Sequence, residues 1–186
     1  MTVTKPADPA FGPLYSVCGE GVAMLVNQRE RAYGLDLDAD PVFVPEGFEV
    51  VKHIKGGILK WSPARPQIEL YMPQDQRRGV VHGERVFEEL EDFDGVPANA
   101  NALDFFLNNF RQRPGLIPES WKKVEQHTAK HILFWGTHYR YEDSICVRTL
   151  DWSADARKQE WTAGYCWVDK LLNSQFPAAM VRKGAD

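Results

Sequence analysis

Only a few groupings in the chain have the residue types and spacing to do chemistry. In His127-Thr-Ala-Lys-His131 the two imidazoles stand four positions apart, and on a helix they would share a face and could both ligate a metal. The zincin pattern needs a glutamate directly after the first histidine, but Thr128 stands there. His131 also opens a β-prone run, which spoils the spacing, so surface histidines in a connection are the simpler reading. Asp36-Leu-Asp-Ala-Asp40 alternates carboxylates like the opening of a calcium loop, yet Pro41 and Gly47 occupy the positions where that loop requires glycine and glutamate. An acidic turn is expected instead. Cys146 and Cys166 lie inside apolar runs, where cysteine behaves as a small hydrophobe and not as an activated thiolate. The strongest grouping is the ring- and guanidinium-bearing set Trp135, Tyr139, Arg140, Arg148, Trp152 and Trp161, joined by Tyr165 and Trp167. Planar rings stack on bases, sugars or apolar side chains, and arginine adds cation–π contacts and paired hydrogen bonds to carboxylate, phosphate or peptide groups. The same residue types anchor protein interfaces. The competing reading is that most of these rings fill the core, where large aromatics dominate the energetics. Asn99 and Asn101, with Asp104, divide in the same way between helix capping and a polar rim beside a sheet.

The elements that must position these residues can be read from periodicity and punctuation. His131–Arg140, Ser144–Trp152 and Glu160–Val168 are three β-rich runs separated by polar turns, the pattern of an antiparallel meander. In the third run the period of two places Trp161, Ala163, Tyr165 and Trp167 on one face. Leu103, Phe106, Leu107 and Phe110 recur at helical spacing over 99–110, with Asn99 or Asn101 available to cap the start. A short amphipathic helix is expected over 84–93, and another after Pro118 through Trp121 and Val124. Upstream, 48–54 and 58–61 around Gly56-Gly57 suggest two strands about a tight turn, and 67–72 a further strand. Gly21–Tyr33 has helical spacing, with Gly34 where a left-handed cap would sit. Before it, Pro6, Pro9 and Pro13 make 1–20 an irregular arm, and 21–186 is read as one domain.

Composition narrows the function classes. A net charge of −4 opposes a generalised nucleic-acid footprint. The three cysteines form no paired motif, which fits a reducing compartment and excludes a disulfide framework. The first ten residues lack the basic-then-apolar signature of a secretory leader and no apolar run is long enough to span a bilayer, so a cytoplasmic protein with no membrane partner is expected. Phosphate-loop, dinucleotide and nucleophile-elbow templates are absent, and no cofactor or metal is implied.

The segments Asn99-Ala-Asn-Ala-Leu-Asp104, Leu116-Ile-Pro-Glu-Ser-Trp-Lys122, Phe134-Trp-Gly-Thr-His-Tyr-Arg140 and Val147-Arg148 with Leu150 and Trp152, together with Pro177-Ala-Ala179, carry a resemblance over residues 67–180. In their order and spacing the chain resembles a group of small bacterial proteins of uncharacterised function. The resemblance implies kinship without an activity; His138 stands where that group carries an aliphatic residue, and the first sixty residues have no counterpart in it. The expected fold is α+β, with the C-terminal meander packed on the 101–110 helix and Leu103, Phe106, Leu107, Phe110, Ile132, Phe134, Val147 and Leu150 buried. The expected function is a non-catalytic binding or regulatory module that engages a protein partner through an aromatic, arginine-bearing sheet face. A small hydrolase or transferase with a His/Asp/Arg site assembled in space is the alternative, and RNA or single-stranded nucleic-acid binding a third, disfavoured by charge. Trp121 is expected to be structural.

Overall fold

In the computed structural model of the chain, residues 32–113, 115–122, 131–153 and 160–183 are described. Along the sequence come β1 (Tyr33–Asp36), β2 (Glu49–His53), β3 (Ile58–Trp61), β4 (Ile68–Tyr71), α1 (Gln74–Arg78), β5 (Val81–His82), α2 (Gly83–Glu89), β6 (Gly95–Pro97) and α3 (Ala100–Asn109). They are followed by β7 (His131–Tyr141), β8 (Ser144–Trp152), β9 (Trp161–Trp167), β10 (Leu171–Leu172) and β11 (Ala178–Arg182). This is a single α+β domain with a mostly antiparallel sheet. Among the described residues no helix is long and apolar enough to cross a membrane.

The meander β7–β8–β9 forms as its alternating, β-branched and aromatic residues dictate, and the main sheet continues past it in the order β4-β11-β7-β8-β9. On the side away from β8, β7 is shared between two neighbours. Its start meets β11 in parallel at Leu133, and its end, Thr137–Arg140, takes β2 antiparallel. Between these halves β7 bulges. Phe134 pairs with Arg148 and the next paired residue, His138, with Val147, so Trp135, Gly136 and Thr137 have no opposite number.

Two layers cover the sheet. On one face α3, the β1–β3 ribbon and the turn Glu119–Trp121 enclose a core of Leu35, Trp61, Leu103, Phe106, Trp121 and Phe134, with Trp61 Nε1 donating to the Leu116 carbonyl at 3.1 Å. On the other, α2 packs Val86 against Leu133, Trp135, Val147 and Met180. The six expected core residues other than Leu107 and Phe110 are fully buried; those two are partly exposed where α3 runs out over the edge of the core.

Several local expectations are corrected. The strands flanking Gly56-Gly57 do not pair with each other: β2 joins β7 and β3 joins β1. Gly57, at φ +79°, instead carries the chain between layers, its N–H held by Asp38 Oδ1 at 2.8 Å. Tyr33 and Gly34 belong to β1, so Gly34 caps no helix; residues 1–31, including the expected arm and first helix, lie outside the described residues. The turn after Pro118 is a single 3-10 turn, and Val124 and His127 also lie outside the described residues. The Asp36 carboxylate accepts from Asp38 N and Ala39 N, which makes this stretch the acidic turn expected.

Candidate functional site

The start of α3 builds the frame of the site. Asn99 is the N-cap, its side-chain oxygen accepting from Asn101 N at 3.2 Å, while its Nδ2 donates to the carbonyls of Leu37 at 2.7 Å and Ile54 at 2.9 Å. Asn101 donates to the Ala39 carbonyl at 2.8 Å and accepts from Val42 N at 3.3 Å. Both asparagines are buried pegs that moor the 37–44 loop to the helix, so they cap and tether and do not form an exposed rim. The bulge completes the frame: Thr137 Oγ1 accepts from Ala100 N at 2.9 Å and lies 2.8 Å from His53 Nδ1. His53 Nε2 is 3.1 Å from the Ala39 carbonyl, which can only accept, so Nε2 carries the proton and the Thr137 hydroxyl donates to Nδ1.

Behind this frame lies a buried charge pair. Arg148 on β8 and Asp104 on α3 are 3% and 8% exposed, with Nη1 2.8 Å from Oδ1. The pair is incompletely satisfied. Nη1 and Oδ1 are in ion-pair contact, but among the described residues Asp104 Oδ2 and Arg148 Nε and Nη1 have no well-aligned hydrogen-bond partner. Burial pushes the Asp104 carboxyl above its ordinary range, and the Arg148 charge opposes this without overcoming it. Tyr139 is pushed up to about 12 by burial, again against the pull of Arg148, and its hydroxyl reaches the Phe43 carbonyl only at 3.5 Å. The Phe43 ring roofs the guanidinium at 4.9 Å.

Around this roof the surface is made of rings. Val42, Phe43 and Val44 are 80%, 48% and 43% exposed. Phe48 stacks on Tyr165 at 5.2 Å and leans on Tyr141 at 4.8 Å, and Tyr141 in turn lies 6.4 Å from Trp167. Tyr165 is the cross-strand neighbour of Arg148, so exposed rings and the buried guanidinium share one end of the meander.

The residues singled out from sequence separate in the fold. Arg148, Tyr139 and Trp161 are buried on the α3 side and Trp135 is buried on the α2 side. Trp152 is half-buried beneath Lys122, whose Nζ sits 4.4 Å from its ring. Arg140 is exposed and paired with Glu49 at 3.2 Å. Of these, Arg148 and Tyr139 lie near the rings of the 42–48 segment, and the others are placed elsewhere. Phe43, Phe48 and Tyr141 form the ring surface and were missed; the available signal was Val42-Phe-Val44 bracketed by Pro41 and Pro45, an apolar triplet denied a strand partner by its flanking prolines.

The opposite face carries a cleft of about 450 Å³ between α2, β2 and the Glu142–Asp143 turn. His138 lines it, packed edge-on against Phe87 at 4.7 Å. Burial, helped by the Lys52 charge, pulls this imidazole down to about 4, while the Trp135 carbonyl draws on its ring proton. Among the described residues its Nε2 has no hydrogen-bond partner. The buried thiols of Cys146 and Cys166 are each pushed up to about 11 by burial, which keeps them protonated.

No family model, curated protein or solved structure matches the chain. The site's chemistry must be argued from its own atoms. A fixed cation and a carboxylate beneath the exposed ring of Phe43, with Tyr139 beside them, can recognise a group.

Proposed function

We propose that the chain is a cytoplasmic, non-catalytic binding module with a regulatory role, and that it engages a protein partner through the ring surface of Phe43, Phe48, Tyr141 and Tyr165. One observation carries the reading: the exposed Phe43 ring lies over a buried, incompletely hydrogen-bonded Arg148–Asp104 pair, and the Phe48–Tyr165 stack adjoins it through the strand neighbour of Arg148. Aromatic anchors next to a desolvated arginine are the composition of interface hot spots. The rings give apolar area, and the spare donors of Arg148 give a directional contact for a partner carboxylate or carbonyl once Phe43 turns aside. The hydrolase or transferase alternative requires a histidine oriented by a carboxylate. What weighs against it is that the two features do not coincide: His131, which bonds Asp151 at 2.9 Å, is not among the residues lining the cleft, and His138, which lines it, has an Nε2 without a carboxylate partner among the described residues.

The test is affinity capture with the full chain beside Phe43→Ser and Tyr165→Ser variants, followed by direct titration of whatever protein is recovered. Both side chains are substantially exposed, so the variants should melt close to the wild type. A partner that binds the wild type and is weakened about tenfold or more by each variant supports the reading. A partner held equally by all three, or affinity for a single-stranded oligonucleotide that falls as salt rises, would replace it.

A further inference from the structure

The cleft on the α2 face is separate from the ring surface, and its lining is chemically specific. Phe87, Ile145 and Val168 make apolar walls. His138 is 9% exposed and lines the cleft, and its Nε2, buried just behind the cleft wall, has no hydrogen-bond partner among the described residues. Because the Trp135 carbonyl can only accept, the ring proton belongs on the nitrogen facing it. That leaves Nε2 as a bare lone pair, an acceptor in need of an O–H or N–H donor. The rim holds Glu84, Asp143 and Asp169 against the single cation Lys52, and Lys52 is drawn to the Phe87 ring at 4.3 Å. Such a rim repels anions and favours a cationic end. A buried polar atom without a partner costs more than one bonded in an accessible loop, so a donor supplied from the cleft has a free-energy gain waiting for it.

The geometry points to a small-molecule site in this cleft for a hydroxylated amine: an apolar body, a hydroxyl donating to His138 Nε2, and an ammonium group facing Glu84, Asp143 and Asp169. The apolar walls fix the class of body, the lone pair fixes the donor, and the rim fixes the sign of the tail. Phosphorylated and carboxylated metabolites are excluded by the same rim. No bond is made or broken; His138 is a binding residue, since no oriented carboxylate shares its proton. This reading is independent of the protein partner on the opposite face.

Three matched probes test it on the full chain: tyramine, phenethylamine, which lacks the hydroxyl, and 4-hydroxyphenylacetate, which reverses the tail charge. Calorimetric titration should rank tyramine first, with each of the others weaker by about tenfold or more, the scale of one buried hydrogen bond or one charge reversal. In protein labelled with ¹⁵N at histidine, tyramine should shift the Nε2 resonance of His138 and leave that of His53 in place. Glu84→Gln, an exposed change, should weaken tyramine while keeping its advantage over phenethylamine. His138→Phe should erase that advantage. Absence of saturable binding by all three probes, equal binding of all three, or a hydroxyl preference that survives His138→Phe would overturn the proposal. If His138→Phe does not fold, the His138 resonance and the Glu84→Gln titration decide alone, and an unmoved Nε2 signal at saturating tyramine overturns it.

Discussion

Lowering the pH should destabilise the protein through His138, and the size of the loss follows from the fold. Folding pulls this imidazole from its ordinary 6.5 to about 4, chiefly because burial between Phe87 and Trp135 disfavours its charged form, with Lys52 adding repulsion. The folded value lies below the unfolded one, so between the two the unfolded chain holds a proton that the folded chain lacks. Stability is therefore full above pH 6.5 and falls as pH drops toward 4, below which this contribution levels off. At about 1.4 kcal/mol per unit the whole window is worth about 3 kcal/mol, of which about 2.5 kcal/mol is gone by about pH 4.5. Lys52, Glu84, Asp143 and Asp169 also line the cleft. The measurement is accordingly a difference: urea denaturation of the wild type and of His138→Leu at matched pH values from 8 to 4.5. The wild type should lose about 2.5 kcal/mol more than the variant over that range. A difference that stays flat, or that grows as pH rises, would refute both the buried neutral state of His138 and the bare lone pair inferred from it.

Other perturbations probe the rest of the fold. Trp121 is 4% exposed and packs its ring on Phe106 at 5.4 Å and Trp61 at 6.2 Å, so Trp121→Ala should cost about 3–5 kcal/mol by chemical denaturation; an unchanged midpoint with lost binding would assign it to recognition instead. Asp104→Leu alone strands the Arg148 charge and should cost about 3–5 kcal/mol, whereas Asp104→Leu with Arg148→Met should recover most of that stability while losing partner binding; a double variant less stable than the single would contradict this. A Cβ on Gly136 would stand 2.6 Å from the Pro97 carbonyl oxygen and 2.8 Å from Asn99 Cα, both backbone atoms, so Gly136→Ala should destabilise by about 1–3 kcal/mol, and a neutral result would remove the bulge from the account. His131 is raised above 6.5 mainly by its 2.9 Å hydrogen bond to Asp151, so its stabilising effect is present at acid pH and fades as pH rises through its folded value; NMR titration should find it protonating well above His138, and Asp151→Asn should lower it.

How much could be read from the sequence depends on whether the deciding contacts are local. The meander, α2 and α3 announced themselves because period two and period 3.6 are imposed by neighbours a few residues away, and Asn99 caps α3 through its own backbone. Pairing between distant strands carries no such local signal. Glu49–His53 reads as half of a hairpin with Ile58–Trp61, but β2 pairs along β7, with Glu49 opposite Arg140 and His53 opposite Thr137. The site was harder still. Ring type marked the meander as aromatic, but whether a ring is core or surface depends on what crosses over it, and α3 crosses the Arg148 side while the proline-bracketed loop brings Phe43 and Phe48 to its edge.

The bulge in β7 explains why alternation misleads at the site itself. With regular pleating, Trp135 and Tyr139 would point the same way, being an even number of residues apart. Trp135, Gly136 and Thr137, which have no partners on β8, reverse the parity: Trp135 packs with Val86 and Val147 on the α2 side, while Tyr139 packs with Ala100 and Cys146 on the α3 side. The same displacement sends His138 to Phe87 and the cleft. It also drives Gly136 against Ala98 and Ile54, whose backbone groups it bonds at 2.9 Å and 2.7 Å, and delivers the Thr137 hydroxyl to the first turn of α3. An odd insertion in one strand thus supplies the buried tyrosine beneath the ring surface and the acceptor in the opposite cleft. A straight β7 would turn Tyr139 to the α2 side and His138 to the α3 side and slide both along β8 away from their present neighbours, so both sites depend on the same three residues.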